Sequence, residues 1–201
     1  MSETTGKDCL IKISGQATTM TAEATDTSDN QIYQIHTATK RVLDRYTVPT
    51  VYDGGVQTIE DYTINYLNGK ITFSTVDADR VITISGKYVP LTTAAYAYEA
   101  SHSKAVDIHE VTPFQVTHKK RKAGLKSASG SLSDFNIEDM TYENALTAGV
   151  PVVLEIRAIN TEEPSRYWIL LNQKELSAAV SGMQNQKITW VSYDSWLRLG
   201  V

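Results

Sequence analysis

Cysteine is nearly missing from this chain of 201 residues. Cys9 is the single thiol, so neither an internal disulfide nor a cysteine-based zinc site can form. Phenylalanine is scarce at 3 residues, and the 11 glycines and 5 prolines are too few for low complexity. Apolar runs are short. None approaches the roughly 18 residues that a membrane helix needs, so no membrane insertion is expected. The first eight residues, Met1-Ser2-Glu3-Thr4-Thr5-Gly6-Lys7-Asp8, are polar and carry no apolar stretch of the signal-peptide kind. Positive charge is also short. The net charge of −4 gives no general attraction for a phosphate backbone. At 41% hydrophobic and 21% charged, the chain is an ordinary globular one, which excludes wholesale disorder.

What is abundant is β-forming. Thr, Ser, Val, Ile and 11 tyrosines dominate, and β-branched and aromatic residues suit a pleated, half-buried surface. The pattern predicts a mainly β protein with few helices and a length suited to one domain. Cys9–Ile13 reads as a short strand, Ser14–Asn30 as a polar loop or surface-lying segment, and Gln31–Ile35 as the next strand. Arg45–Tyr52 reads as a further strand, with Tyr46, Val48 and Val51 on apolar positions. Residues 52–88 carry the clearest local signal. Asp53-Gly54-Gly55 is a turn, and Asp61–Tyr66 alternates at period two. Asn68-Gly69 is a hairpin dipeptide, because both residues tolerate positive φ. Lys70–Ser74 returns from it, and Val81–Val89 is expected as the third strand of an antiparallel meander.

Beyond this, Ala94–Ala100 and Val106–Val111 alternate as strands do, Pro113 interrupts, and Phe114–His118 resumes. Four cations follow at Lys119-Lys120-Arg121-Lys122, and Gly124–Ser133 leads into a strand. One helix is expected next. Asp134 or Asn136 would cap it, Glu138 and Asp139 would sit in its first turn, and Met140, Ala145 and Leu146 would form its buried face. Gly149 and Pro151 would end it. Val152–Ile159 and Tyr167–Leu171 read as strands, and Thr161–Ser165 as a turn. Leu176–Val180 and Lys187–Tyr193 read as a last pair around a turn at Gly182 and Asn185. The chain closes on an apolar stretch, Trp196–Val201.

The search for chemistry is negative. No nucleophile elbow, P-loop, HExxH or EF-hand ligand run occurs. Cys9 would need a nearby histidine base to act as a nucleophile, and a bland thiol is the expected reading. His36, His102, His109 and His118 have no carboxylate or cysteine at ligand spacing, so they read as hydrogen-bonded or solvated side chains. Asp77 and Asp79 read as an ordinary polar turn rather than a cation site. No catalytic residue, metal or cofactor is assigned, and the chain is not read as an enzyme. The basic cluster Lys119–Lys122, with Lys126 beyond it, is the one local charge anomaly. It lacks the interleaved aromatics that would stack nucleic-acid bases. It therefore reads as a loop that pairs with acidic residues of a neighbouring subunit or protein.

The stretch Asp107–Phe135 carries a resemblance. Its parts are Thr112-Pro113-Phe114, the basic run Lys119–Lys122 leading into Gly124-Leu125-Lys126, and Ser129-Gly130-Ser131-Leu132-Ser133-Asp134-Phe135. With the helix at Ile137–Ala148 and the strand bounded by Gly149, it resembles the major tail tube proteins of long-tailed, siphovirus-like bacteriophages. The polar Ala17–Asp29 segment and the Asp61–Ile71 hairpin add to the likeness. The resemblance implies a β-sandwich with one flanking α-helix and extended arms. It implies hexameric rings that stack into a hollow tube, through which double-stranded DNA passes without specific binding. It implies a tape-measure protein, a tail terminator and baseplate or distal tail proteins as partners, with assembly in the host bacterial cytoplasm and a place in the virion tail.

On this reading residues 1–8 form a flexible arm and 9–195 a single tail tube domain with a hairpin or meander elaboration at 45–89. Residues 196–201 form a C-terminal tail in contact with a neighbouring subunit. Lys119, Lys120, Arg121, Lys122, Lys126, Trp196, Leu197 and Leu199 are the expected inter-subunit contacts. Gly124, Leu125, Ser129, Gly130, Phe135 and Gly149 match the family pattern. The alternatives are another virion part (a tail terminator, a baseplate protein or a head decoration protein), the tube of a contractile injection system, or a carbohydrate-binding β-sandwich. The last would use Trp168, Trp190 and Trp196 as an aromatic strip.

Overall fold

Period-two alternation is what builds most of this molecule. In the computed structural model, residues 10–93, 97–111, 118–134, 140–157, 163–177 and 185–198 are described. Fourteen strands and one α-helix lie among them. The strands are β1 (Leu10–Ser14), β2 (Thr18–Thr27), β3 (Ile32–Ile35), β4 (Thr50–Asp53), β5 (Val56–Gln57), β6 (Tyr62–Asn65), β7 (Lys70–Phe73), β8 (Ile82–Tyr88), β9 (Leu91–Thr93), β10 (Ala97–Glu110), β11 (Arg121–Asp134), β12 (Val152–Arg157), β13 (Ser165–Ser177) and β14 (Asn185–Arg198). The helix α1 is Met140–Ala148. They form two seven-stranded sheets. Sheet I has the order β10-β11-β14-β13-β12-β1-β9, and sheet II the order β5-β4-β8-β2-β3-β7-β6. The mainly β class expected from the composition is the class observed.

The chain divides into two compact units. The first holds Met1–Ala94, Val153–Tyr167 and Trp196–Val201, and the second holds Ala95–Val152 and Trp168–Ser195. The first unit contains all of sheet II. Its core is drawn from β2, β3, β4, β7 and β8: Met20, Tyr33, Ile35, Val51, Ile71, Phe73, Ile82 and Ile84, closed by Leu43. Tyr33 meets Phe73 edge-on at 5.7 Å and 85°, an arrangement the ring quadrupoles favour. The Arg80 guanidinium covers the Phe73 ring at 4.3 Å. The Asn68-Gly69 turn is made as its residues predict, with Gly69 at φ +64°. There a Cβ would fall 2.8 Å from the Arg41 carbonyl oxygen, so only glycine fits.

On the β12 side of this unit a charged group is buried. Glu155 is 3% exposed and lies 2.7 Å from Arg166 Nε and 3.0 Å from Lys12 Nζ. Arg166 Nη1 also donates to the Leu67 carbonyl at 2.6 Å. Burial alone would push the Glu155 carboxyl up. The hydrogen bonds and charges of Arg166 and Lys12 outweigh it and hold the group below its ordinary value.

Several expectations are corrected. Ser14–Asn30 is not a loop, since Thr18–Thr27 is the central strand β2, paired with β3 and β8. It escaped notice because Met20 is its one buried residue and its register shifts between Met20 and Glu23, where Ala22 takes φ +48°. That bulge breaks the alternation that reveals a strand. Arg45–Tyr52 is a strand only from Thr50. Asp44 accepts from Tyr46 N at 3.2 Å and from Thr47 Oγ1 at 2.7 Å, which makes a turn and leaves Tyr46 65% and Val48 81% exposed. The meander is not contiguous, because β6 and β7 pair as expected but β8 pairs with β2 and β4. Leu176 is no new strand: β13 runs unbroken through the polar Asn172–Glu175 to Ser177. The first three residues of the expected C-terminal tail, Trp196 to Arg198, are the end of β14.

Residues 1–8, Cys9, Phe114, Phe135, the expected helix cap at Asn136–Asp139, and Leu199 lie outside the described residues. Within α1, Ala145 is buried and Leu146 half-buried, as its expected face requires. Gly149 follows at φ +62°, its N–H reaching the Leu146 carbonyl at 3.3 Å.

A candidate assembly surface on the long hairpin

The second unit is dominated by the antiparallel pair β10 and β11, fourteen residues each. Their register runs from Ala97↔Asp134 to Glu110↔Arg121, with shifts between Ala97 and Glu99 and between Val106 and Ile108. Two very different halves result. Near Asp134, β11 is also paired on its other side, with β14, from Ser129↔Val191 to Asp134↔Gln186. There Ala128, Leu132, Ile188 and Trp190 are buried. Gly130 faces Trp190 so closely that a Cβ would sit 2.6 Å from the indole and 2.1 Å from the Ser101 carbonyl oxygen. This gives the expected family glycine a packing reason.

The other half has no cover among the described residues. Every residue from Ser101 to Glu110 is exposed. So are Arg121–Ala123 and Leu125–Ser127, with Gly124 between them half-buried. Successive strand residues point to opposite faces, so both faces of this ribbon meet solvent. One face carries small hydroxyls: Ser101 and Ser131 oxygens lie 2.9 Å apart, and Ser103 and Ser129 3.3 Å apart. Large apolar side chains are exposed as well, with Leu125 80%, Ile108 68% and Val106 44% accessible. β10 is also the last strand of sheet I. An edge strand presents a row of open N–H and C=O groups.

The expected contact residues fall into three groups. Lys119 and Lys120 precede β11, and Arg121, Lys122 and Lys126 lie on it, so the hairpin gathers all five. Lys119 Nζ already meets Glu110 of its own hairpin at 3.3 Å, so part of the cluster is neutralised within the chain. Arg121 and Lys122 stand opposite Glu110 and His109. Trp196 and Leu197 lie on β14, away from this group in sequence, and Leu199 is outside the described residues. Of the family-pattern residues, Gly124, Leu125, Ser129 and Gly130 share β11, whereas Gly149 ends the helix. Gly124 lies under His109, where a Cβ would be 2.5 Å from the imidazole Nε2.

His36 Nδ1 pairs with Asp26 at 2.8 Å on the surface, and His102 is held below its ordinary pKa by desolvation and then by Lys104. Among the described residues no group of His, Cys, Asp and Glu is placed to hold a metal ion, and no helix is long and apolar enough to cross a membrane. Trp168 and Trp190 are 6% and 2% exposed. They pack the interior, so they cannot form the aromatic strip that the carbohydrate-binding alternative requires.

A second surface was missed from the sequence. On β5 and in the β5–β6 and β7–β8 links, Val56 is 72%, Ile59 99%, Val76 65% and Val81 65% exposed. Asp53, Glu60, Asp61, Asp77 and Asp79 lie within the same short segments. The one cation among them, Arg80, is 2% exposed at its side chain and lies 3.7 Å from Asp53, 3.8 Å from Asp77 and in a short contact with Glu60. The sequence separates these groups by up to 28 positions, so only the fold unites them.

No protein-family model matches the chain, and no curated protein matches it. In shape it is similar to a chain from the tail of an empty gene transfer agent particle with C6 symmetry, at 14% identity and a TM-score of 0.49, covering 55% of this chain and 87% of that one. It is similar to the same degree to a chain from the virion of a native gene transfer agent particle, at 14% identity and a TM-score of 0.48, covering 55% of this chain and 89% of that one. A likeness of that degree names no family.

Proposed function

We propose that this chain is a non-enzymatic structural protein of a phage-type virion tail, which polymerises as stacked hexameric rings into a hollow tube for DNA. The observation that supports this reading is the β10–β11 ribbon, exposed on both faces and open along one edge. A two-stranded hairpin alone in water is marginally stable, and a long exposed edge is a hazard unless a partner covers it. Head-to-tail pairing that closes into a ring removes the edge on every subunit at once. The sequence resemblance around Asp107–Phe135 points the same way. On this reading the partners are further copies of the chain, a tape-measure protein, a terminator and baseplate components. DNA passes without specific binding, in keeping with a net charge of −4. Assembly takes place in the host cytoplasm and the product belongs to the virion.

Negative-stain electron microscopy of the concentrated protein tests this, alone and with tape-measure and baseplate components. Hollow stacked tubes are the expected result. Single rings that never stack would reassign the chain to a terminator or another virion part. A monomer under every condition would overturn the reading.

A further inference from the structure

Charge is unevenly shared along the chain. Residues 97–134 hold six Lys and Arg (Lys104, Lys119, Lys120, Arg121, Lys122, Lys126) and four Asp and Glu (Glu99, Asp107, Glu110, Asp134), a balance of +2. Since the whole chain is −4, the remainder is −6. The hairpin is thus a basic arm on an acidic protein. Its exposed apolar residues, Ile108 and Leu125, stand beside those cations. The turn cluster described above has the opposite composition. Four exposed aliphatics, Val56, Ile59, Val76 and Val81, are bordered by five carboxylates with one buried cation among them.

The turn cluster is one continuous surface. Arg80 ties Glu60, Asp53 and Asp77 together. Val81 N donates to Asp53 Oδ1 at 3.0 Å, and Gly54 N to the Val81 carbonyl at 3.1 Å. Asp53 stands opposite Val56 across β4 and β5. Ile59, fully exposed in a chain with a well-filled core, is the residue least accounted for by folding alone. An apolar centre with a charged rim is the usual anatomy of a protein interface. Opposite potentials on the two surfaces set which partner fits and in which register.

We propose that the basic end of the hairpin, Lys119–Lys122 with Lys126, Ile108 and Leu125, docks on the acidic turn cluster of a second copy of this chain. Ile59 and Val81 form the apolar contact there, and Asp61 and Asp79 the ion pairs. The inference rests on the self-assembly reading and names the surface that assembly uses.

A charge swap on the full chain tests it, read by sedimentation velocity across a salt series. The hairpin variant carries Lys120→Glu and Lys122→Glu, and the cluster variant Asp61→Lys and Asp79→Lys. These positions spare the carboxylates that hold Arg80. Each variant alone is expected to need at least tenfold more protein to assemble, with an unchanged circular dichroism melt. Mixing the two variants, or combining all four changes in one chain, is expected to restore assembly. Wild-type protein that assembles while neither variant differs from it, or variants that fail to rescue each other, would overturn the docking surface and leave self-assembly standing. Wild-type protein that never assembles, even with tape-measure and baseplate components, would overturn both. Zero-length crosslinking between isotope-labelled and unlabelled copies gives a second readout: Lys120 or Lys122 joined to Asp61 or Asp79 across copies is the expected product, and crosslinks to other acidic surfaces would overturn the assignment.

Discussion

Sheet II and the β10–β11 ribbon are both antiparallel, and both rely on the same backbone ladder, yet they spend their side chains in opposite ways. In β3, β7 and the start of β8 every second residue goes inward, and Ile35, Leu43, Val51, Ile71 and Ile84 have no exposed surface at all. In the outer half of the ribbon neither face goes inward. A sheet with one buried face is stabilised by its own chain. A ribbon with none gains little from its own chain, and the difference separates the part of the molecule that has a core from the part that has none.

The contrast is broken most strongly by truncating the centre of sheet II. Phe73→Ala removes the ring that Tyr33, Tyr62 and Arg80 surround. It should cost about 3–5 kcal/mol, the usual range for a buried aromatic, measured by urea unfolding. Glu155→Gln should cost about 3 kcal/mol, because it leaves Arg166 buried without its counter-charge. Gly130→Ala tests the root of the ribbon. The added methyl has to displace the Trp190 indole or the Ser101 carbonyl, and such overpacking costs about 1–3 kcal/mol. An unchanged melt in that variant would mean the Gly130–Trp190 contact is not tight.

The acid response sharpens the same comparison. Glu155 is held below its ordinary value in the folded protein. Its contribution is therefore complete above the unfolded value of about 4.5 and is lost as pH falls from there through the folded value. Wild-type stability should drop along that acid limb, and Glu155→Gln should flatten it. Unfolding curves between neutral pH and pH 3 decide the matter. The smallest effect on folding belongs to the ribbon. Leu125→Ser, at a site 80% exposed, should move monomer stability by less than about 0.5 kcal/mol while weakening assembly. A large loss of stability would show that Leu125 is covered within the monomer.

Legibility in the sequence follows the same division. The Asn68-Gly69 hairpin could be read because two adjacent signals, alternation and a positive-φ dipeptide, agree over a dozen residues. The helix ending at Gly149 was readable for the same local reason. β2 was not, because a central strand with one buried residue and a bulge at Ala22 looks like a loop. The placement of β8 beside β2 rather than β7 was hidden because pairing across some 60 residues leaves no local mark. The basic half of the candidate site was visible as a charge run. The acidic half was not, because Asp53, Glu60 and Asp77 are brought together only by Arg80, with Asp61 and Asp79 beside them in sequence. The apolar stretch that opens the expected C-terminal tail continues strand β14 as far as Arg198, and no turn residue in the sequence marks where that strand stops.

The buried Glu155–Arg166 pair has a consequence for synthesis. Unit one draws on residues up to 94 and then on 153–167, so its charged centre waits for Arg166 to leave the ribosome. The 73 residues added after Thr93, up to Arg166, take about 4–15 s at ordinary elongation rates of roughly 5–20 residues per second. During that interval the hairpin is already made while the unit that flanks it in sequence is unfinished. Nascent chains therefore present the hairpin after sheet II is made but before the Glu155–Arg166 pair can close. The Lys104 side chain and the bulge near Asp107, both on the open edge strand, are the features that would slow premature pairing in that window.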